Sequence, residues 1–383
     1  MREHSVKHNA SLGDLFRFFL TMGLTAFGGP VAHMAIMQRE AIDKRKWMSK
    51  EEFLDVLGLL NIIPGPNSTQ MVMYFGHKHG GVIGMLAAGF GFILPAAAIT
   101  LVLALAYVRY GLLPQGQAIM WGIQPVVVAV IASAMWRLLP GALKDNAKRV
   151  FFAAALALAW LGLSEFAVIL GAGFVGLLWF SRGNGTTRTQ TKVRSVLPFG
   201  LAALFGPGSA VAMSTSGVFW VFTKMAVTLY GTGYVLIAYM QAELVDRLGW
   251  LSMAQLLDVI AIGQMTPGPL LTTATAAGML IGGLPTAIVA TIGIFLPSFV
   301  LIGLLGGKVD ELRASAWGKN FLAGLNPAVA AVLLLVSIRF ASGIATEPLR
   351  LLIAVLALLA LEKFKASSML LVAIGAVLGL LVG

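Results

Sequence analysis

The chain has 383 residues, 58% of them hydrophobic and only 11% charged, with a mean hydropathy of +0.88. That balance excludes a soluble domain, and apolar runs of spanning length recurring from end to end define an all-α polytopic membrane protein. The formal net charge of +11 fits basic loops facing anionic lipid and an electropositive path for an anion. It does not fit nucleic-acid binding, because no soluble basic domain is present. The absence of cysteine excludes disulfides, thiolate metal sites and thiol redox chemistry.

In chain order, a polar stretch from Met1 to Asp14 leads into an apolar segment without a convincing cleavage site, read as retained and not as a signal peptide. Segment A runs from about Asp14 to Glu40 and is interrupted at Phe27-Gly28-Gly29-Pro30. A charged loop with Arg39, Glu40, Asp43, Lys44, Arg45 and Lys46 follows. Segment B opens on a capping box, Ser49 with Glu52, flanked by Met48 and Phe53 as a hydrophobic staple. It is broken at Pro64-Gly65-Pro66, where two residues without N–H groups bracket one that accepts any backbone angle. Asn67 is placed to cap a new helix, which ends near His77-Lys78-His79. Segments C (Val82 to Tyr107) and D (Ile119 to Leu139) and two shorter apolar stretches, Val150 to Leu163 and Phe166 to Phe180, complete the half.

The second half repeats the first at an offset of 203 residues: Trp47 meets Trp250, Gly28 meets Gly231, Glu40 meets Glu243, Asp55 meets Asp258, and Pro-Gly-Pro recurs at Pro267-Gly268-Pro269. After a one-residue slip Gly80-Gly81 meets Gly282-Gly283, Pro95 meets Pro297 and Arg137 meets Arg339. This divides the chain into an N-terminal repeat (1–181), a basic cytoplasmic linker (182–195), a connecting transmembrane segment (196–214) and a C-terminal repeat (215–383). If the connecting segment crosses the membrane, the repeats are inverted. With the linker inside, the basic stretches at 144–149, 77–79, 308–319 and 362–365 fall inside and the less basic 243–247 loop falls outside, as the positive-inside rule requires. Segment B's two pieces, of about 14 and 10 residues, reach roughly half a bilayer each at ~1.5 Å per residue. Those lengths favour re-entrant hairpins for A and B, with Lys44 to Lys46 inside; full spans would put that loop outside. The expected fold is two inverted-topology repeats with broken or re-entrant helices.

A helix broken at membrane depth is tolerated only where protein or a wet cavity surrounds it, and paired breaks point to a transport site. The expected substrate-binding residues are therefore those at the breaks: Gly28, Gly29, Pro30, Asn61, Gly65, Asn67, Ser68, Thr69 and Gln70, then Gly231, Thr232, Gly268, Thr272 and Thr273. Helix N-termini there offer free N–H groups and partial positive charge to a small oxyanion. Packing kinks are the bland alternative, weakened by four breaks paired by repeat. Lys224, seven residues before Gly231, is placed to neutralise the anion or to snorkel. Gating or coupling candidates are His33, Arg39, Glu40, Asp55, Glu243 and Asp258; for Asp55 and Asp258 the simpler reading is complementing a helix dipole, and for Arg39 and Glu40 a local pair.

Phe27-Gly28-Gly29-Pro30-Val31-Ala32-His33, Arg39-Glu40, Trp47 and Asn61-Ile62-Ile63-Pro64-Gly65-Pro66-Asn67-Ser68-Thr69 resemble the chromate ion transporter family. So do Tyr230 to Val235, Ala242 to Val245, Thr266 to Pro269 and Gly293 to Phe299 in the second half. The resemblance covers most of the chain and is to the long, two-domain form. It implies antiparallel halves and export of chromate across a bacterial-type inner (plasma) membrane, coupled to the proton gradient. The partners would be chromate or a similar oxyanion, protons and membrane lipid, with a homodimer as a candidate assembly and no cofactor or metal. Two positions depart from the family pattern: Thr21 where a basic residue often stands, and Gln70 where an acidic one often follows Asn-Ser-Thr. A sulfate carrier is the nearest alternative, then a passive channel. An intramembrane enzyme is disfavoured, because Ser214-Thr215-Ser216-Gly217 only faintly resembles a protease motif and no histidine follows His79.

Overall fold

The computed structural model describes residues 10–181, 213–230, 233–306 and 316–382. The 182–195 linker, Gly231, Thr232 and nearly all of the 196–214 connecting segment lie outside the described residues, as does the boundary drawn between 195 and 196. Among the described residues the chain is helical, without strands. The first half holds α1 (Leu12–Thr25), α2 (Gly29–Met37) running into a π-helical turn (Gln38–Lys44), α3 (Lys50–Leu60), α4 (Asn67–Tyr110), α5 (Pro114–Ala142), α6 (Asn146–Trp160) and α7 (Glu165–Ser181). The second holds α8 (Thr215–Thr228), α9 (Val235–Met240) with its own π-helical turn (Gln241–Arg247), α10 (Met253–Met265), a 3₁₀ turn (Leu270–Thr272), α11 (Thr273–Gly282), α12 (Leu284–Leu305), α13 (Ala316–Ile344), α14 (Pro348–Lys363) and α15 (Ser368–Val382). The two lists are one plan built twice: α1 and α8, and the two π-helical turns, fall in the register read from the sequence.

Local chemistry sets the ends of these helices. Ser49 caps α3 by accepting the Glu52 N–H at 3.1 Å. The Glu52 carboxylate, however, turns to Lys78 instead of reaching back, so only half of the expected capping box forms. In the second half both bonds of the box are made, Gln255 N–H to Ser252 Oγ at 3.1 Å and Ser252 N–H to Gln255 Oε1 at 2.8 Å.

Segments A and B each fold back on themselves. α3 ends at Leu60, just before the Pro64–Pro66 break, and the first arm of α4 returns beside it, setting the Phe75 ring 6.3 Å from that of Phe53 and pairing Lys78 with Glu52. α1 and α2 do the same: Arg45 and Trp47, at the end of the return arm, cover Phe18 of α1. Trp47 also lies 6.0 Å from His79, so both hairpins share one mouth. At Gly80 and Gly81 α4 reverses direction, with Gly81 at φ +57°; Gly283, at φ +80°, makes the equivalent turn between α11 and α12.

Among the described residues four helices are long and apolar enough to cross a membrane: Asn67–Tyr110, Pro114–Ala142, Leu284–Leu305 and Gly318–Ile344. Side chains such as Leu94, Val102, Trp136, Leu178, Leu304 and Leu356 face outward, as lipid contact requires. The repeats interlock by exchange: α6 and α7 pack on α13, while α14 and α15 pack on α5. Glycines allow the approach. A methyl at Gly122 would land 2.7 Å from the Gly379 nitrogen, and one at Gly324 2.7 Å from the Gly176 Cα.

The halves run in opposite directions. α12 starts at the Gly283 turn, at the mouth of the second pair of hairpins, and rises about 33 Å over its 22 residues. Gly306, just beyond its end, lies against the His77 ring at the mouth of the first pair. The two mouths therefore sit a bilayer's thickness apart, at opposite ends of the molecule.

Candidate functional site: the paired helix breaks

The chain breaks where the backbone demands it, and the breaks meet across the two halves. Gly28, Gly29, Gly65 and Gly268 all have positive φ (+105°, +69°, +128° and +86°), a region side-chain-bearing residues avoid. The Gly65 N–H donates to the Leu229 carbonyl, which caps α8, at 2.6 Å. The Gly268 N–H donates to the Ala26 carbonyl, which caps α1, at 2.9 Å. Leu229 and Ala26 are repeat mates, so each Pro-Gly-Pro is fastened to the other half by the same bond. The second break, from Thr266 to Leu270, is buried throughout, and at the first Gly65 and Pro66 are buried.

At the first break the cap differs from expectation. Pro66 occupies the N-cap position of α4 and Asn67 is its first helical residue, with its side-chain amide bonded to Asn61. The break places Asn67 one residue too far along to cap. The first intrahelical bond runs from the Gln70 N–H to the Pro66 carbonyl at 2.9 Å, so the Asn67, Ser68 and Thr69 N–H groups have no carbonyl a turn earlier. Gln70 Nε2 donates to the Pro64 carbonyl at 2.6 Å. His33, fully buried, lies between the breaks: one ring nitrogen is 3.3 Å from Ser68 Oγ and the other 3.3 Å from the Ala26 oxygen that also holds Gly268. A carbonyl only accepts, so Nε2 carries a ring hydrogen, and in the neutral ring Nδ1 accepts from Ser68.

The second break is built differently. The Thr272 and Thr273 hydroxyls, expected to face a ligand, donate to the Pro269 and Leu270 carbonyls at 2.9 and 2.6 Å. With no side chain to cap this turn, its own hydroxyls satisfy its carbonyls. A cavity of about 20 Å³, enough for one water, lies where Gly28 and Gly29 meet Tyr234, Gln264, Thr266 and Gly268. Sequence reading missed Tyr234 and Gln264; Gln264 is the repeat mate of Asn61, and that register was the signal available. Pro30 stands in the first turn of α2, as its fixed φ suits. Gly231 and Thr232 fall outside the described residues.

The charged candidates lie away from the breaks. Lys224 Nζ pairs with Glu243 Oε1 at 2.7 Å and sits over the Phe166 ring; the other Glu243 oxygen is held by Arg247. A partly buried cation with a buried carboxylate on the same hairpin is neutralised there, so Lys224 is not free for the breaks. Arg39 and Lys44 pair with Glu40 at 3.1 and 2.8 Å, the local arrangement expected, and Lys44 foremost holds the Glu40 carboxyl below its ordinary range. Asp55 is half-buried within α3, past the Glu51 and Glu52 of the first turn. Asp258 likewise lies beyond the first turn of α10 and is buried, so it does not serve the helix dipole. It accepts from Tyr107 Oη at 2.6 Å and Gln124 Nε2 at 2.8 Å. These groups and the buried Arg350 line a cavity of about 260 Å³. Among the described residues no group of three or more histidines and carboxylates could hold a metal ion.

Helices interrupted at one depth, duplicated in opposite orientation and tied together at the interruptions, define the class: an inverted-repeat membrane transporter. The Chromate transporter family model matches residues 13–177 and again 216–380, and the chain belongs to that family of transporters, not to an enzyme family. It is 30% identical over 382 residues to the chromate transport protein of Cupriavidus metallidurans, covering 97% of this chain and 93% of that one. It is 30% identical to the chromate transport protein of Pseudomonas aeruginosa, covering 84% of this chain and 78% of the relative. An uncharacterized transporter of Methanocaldococcus jannaschii is also 30% identical, over 98% of this chain and 96% of its own length. No solved structure matches the chain.

Proposed function

We propose that the protein is a secondary transporter that exports chromate across the bacterial inner membrane, coupled to the proton gradient, and that the paired helix breaks form its oxyanion site. The observation that carries the reading is the reciprocal bond from each Pro-Gly-Pro glycine to the helix cap of the other half, which brings the starts of broken helices from both repeats to one buried region. Uncommitted backbone N–H groups bind a small oxyanion without a fixed charge that would hold it too tightly. The names of the relatives supply the substrate. The hairpins re-enter the membrane from opposite faces, and a void the size of one water at the second break means that an anion passes only when the hairpins separate.

The test is flux of labelled chromate into inside-out vesicles with and without a proton gradient. Export requires gradient-driven accumulation, and Asn67→Ala, which alters the first helical residue at the break, should lower it at least severalfold. Unchanged accumulation in that variant would refute the site. Accumulation indifferent to the gradient would refute the coupling.

A further inference from the structure

We infer that only one of the two pseudo-equivalent breaks, the one at Pro64–Pro66, holds the oxyanion, and that Ser298 of the second repeat completes it; this rests on the reading of the breaks as the oxyanion site. Symmetry provides two candidate sites, and the side chains tell them apart. At the first break Thr69 Oγ1, Gln70 Oε1 and Ser298 Oγ are buried without a hydrogen-bond partner, in residues at most 1% exposed. A buried hydroxyl or amide oxygen left unpaired is costly and needs a reason.

Gln70 and Ser298 close on Gly65 from two sides. A methyl there would land 2.8 Å from Ser298 Oγ and against the Gln70 amide nitrogen. The uncommitted Ser298 hydroxyl beside Gly65, the uncommitted Thr69 hydroxyl in the first turn of α4 and that helix's leading N–H groups thus belong to the same break and can each donate to an anion, while the Gln70 oxygen takes a water that accompanies it.

The mates of these residues offer no such set. Ala96 stands where Ser298 does, and its methyl, not a hydroxyl, faces Gly268. Leu270 replaces Asn67 and Leu271 replaces Ser68. The Thr272 and Thr273 hydroxyls are already spent on backbone carbonyls. Among the described residues at that break, the unpartnered polar atom is Gln264 Nε2, beside a void that fits a single water.

The experiment measures chromate KM and equilibrium binding on the full-length protein in proteoliposomes, for Ser298→Ala and Thr69→Val at the first break and Thr272→Val at the second. Ser298 Oγ bonds to nothing in the protein, so its removal should leave thermal stability unchanged while KM rises about tenfold or more, the loss of one hydrogen bond to an anion. Wild-type protein should bind one chromate per chain, and Thr272→Val should keep the wild-type KM. A raised KM in Thr272→Val with none in Ser298→Ala and Thr69→Val moves the anion to the second break and overturns the inference while sparing the break reading. Equal losses at both breaks, or two chromates per chain, overturn it in the same way. No loss in any variant refutes the break reading itself.

Discussion

Replacing Gly65 by alanine tests the centre of the structure with one methyl group. Gly65 sits at φ +128°, and holding any other residue there costs about 1–3 kcal/mol. The new carbon would meet the Gln70 amide and come within 2.8 Å of Ser298 Oγ, so Gln70 must give up its bond to the Pro64 carbonyl, worth about 1 kcal/mol net. Together these predict a loss of about 2–4 kcal/mol, or roughly 30- to 700-fold in the folding equilibrium. Reversible denaturant unfolding in detergent reads the effect, with Gly171→Ala as control. Gly171 lies within α7, has open space around the added carbon, and should change stability by no more than about 1 kcal/mol. Chromate flux should fall in the first variant and hold in the second. Equal stability and equal flux in the two would refute the argument that the break must be glycine.

Glu243→Gln leaves Lys224 and Arg247 facing a neutral amide. Both cations keep some access to solvent, so the loss should lie near about 3 kcal/mol, the low end for a broken buried pair, and adding Lys224→Met should recover part of it in the same unfolding assay. The natural chain has no cysteine, which makes topology directly testable. An impermeant maleimide applied to intact cells should label Asp246→Cys and not Lys78→Cys, and labelling of both would rule out opposed mouths. Gly122→Val and Gly324→Val should each destabilise by about 1–3 kcal/mol or more, and by similar amounts, because each drives a side chain into the backbone of a helix borrowed from the other repeat.

Much of this architecture is legible in the sequence because proline and glycine act locally. The breaks at Gly28–Pro30, Pro64–Pro66 and Pro267–Pro269 and the Gly81 and Gly283 reversals sit where residue chemistry alone puts them; the 203-residue register pairs the two Pro-Gly-Pro breaks, and its one-residue slip pairs the two reversals. Arg45, Trp47 and His79 crowd together at one mouth, a contact between the two hairpins. What the register could not show is which partner a side chain takes. Glu243 stands 19 residues from Lys224, and only the return of the hairpin makes it the nearest anion. Asn67 looked like a cap because Asn after a break usually is one; Pro66 took the position first. Asp258 depends on Tyr107 and Gln124, which lie more than a hundred residues away in the other half. The register did hold an unused clue in Gln264, since a residue of interest at Asn61 has a mate that merits equal scrutiny.

Inverted repeats carry an energetic consequence that follows from these contacts. Any arrangement of the first-half hairpins against the second has a counterpart with the roles exchanged, made of the same contacts between repeat mates. Where mates are alike, as in the bonds Gly65 N–H to Leu229 and Gly268 N–H to Ala26, that exchange leaves the contacts the same in kind. Where they differ, the balance tips. His33 bridges both breaks from the first half, while its mate Leu236 has no hydrogen bond to give. Lys224 anchors Glu243 in the second half, while the hydroxyl of its mate Thr21 donates to the Arg17 carbonyl of its own helix. The residues that break the symmetry are thus the ones able to set which mouth is favoured, and the shared glycines keep the alternative within reach.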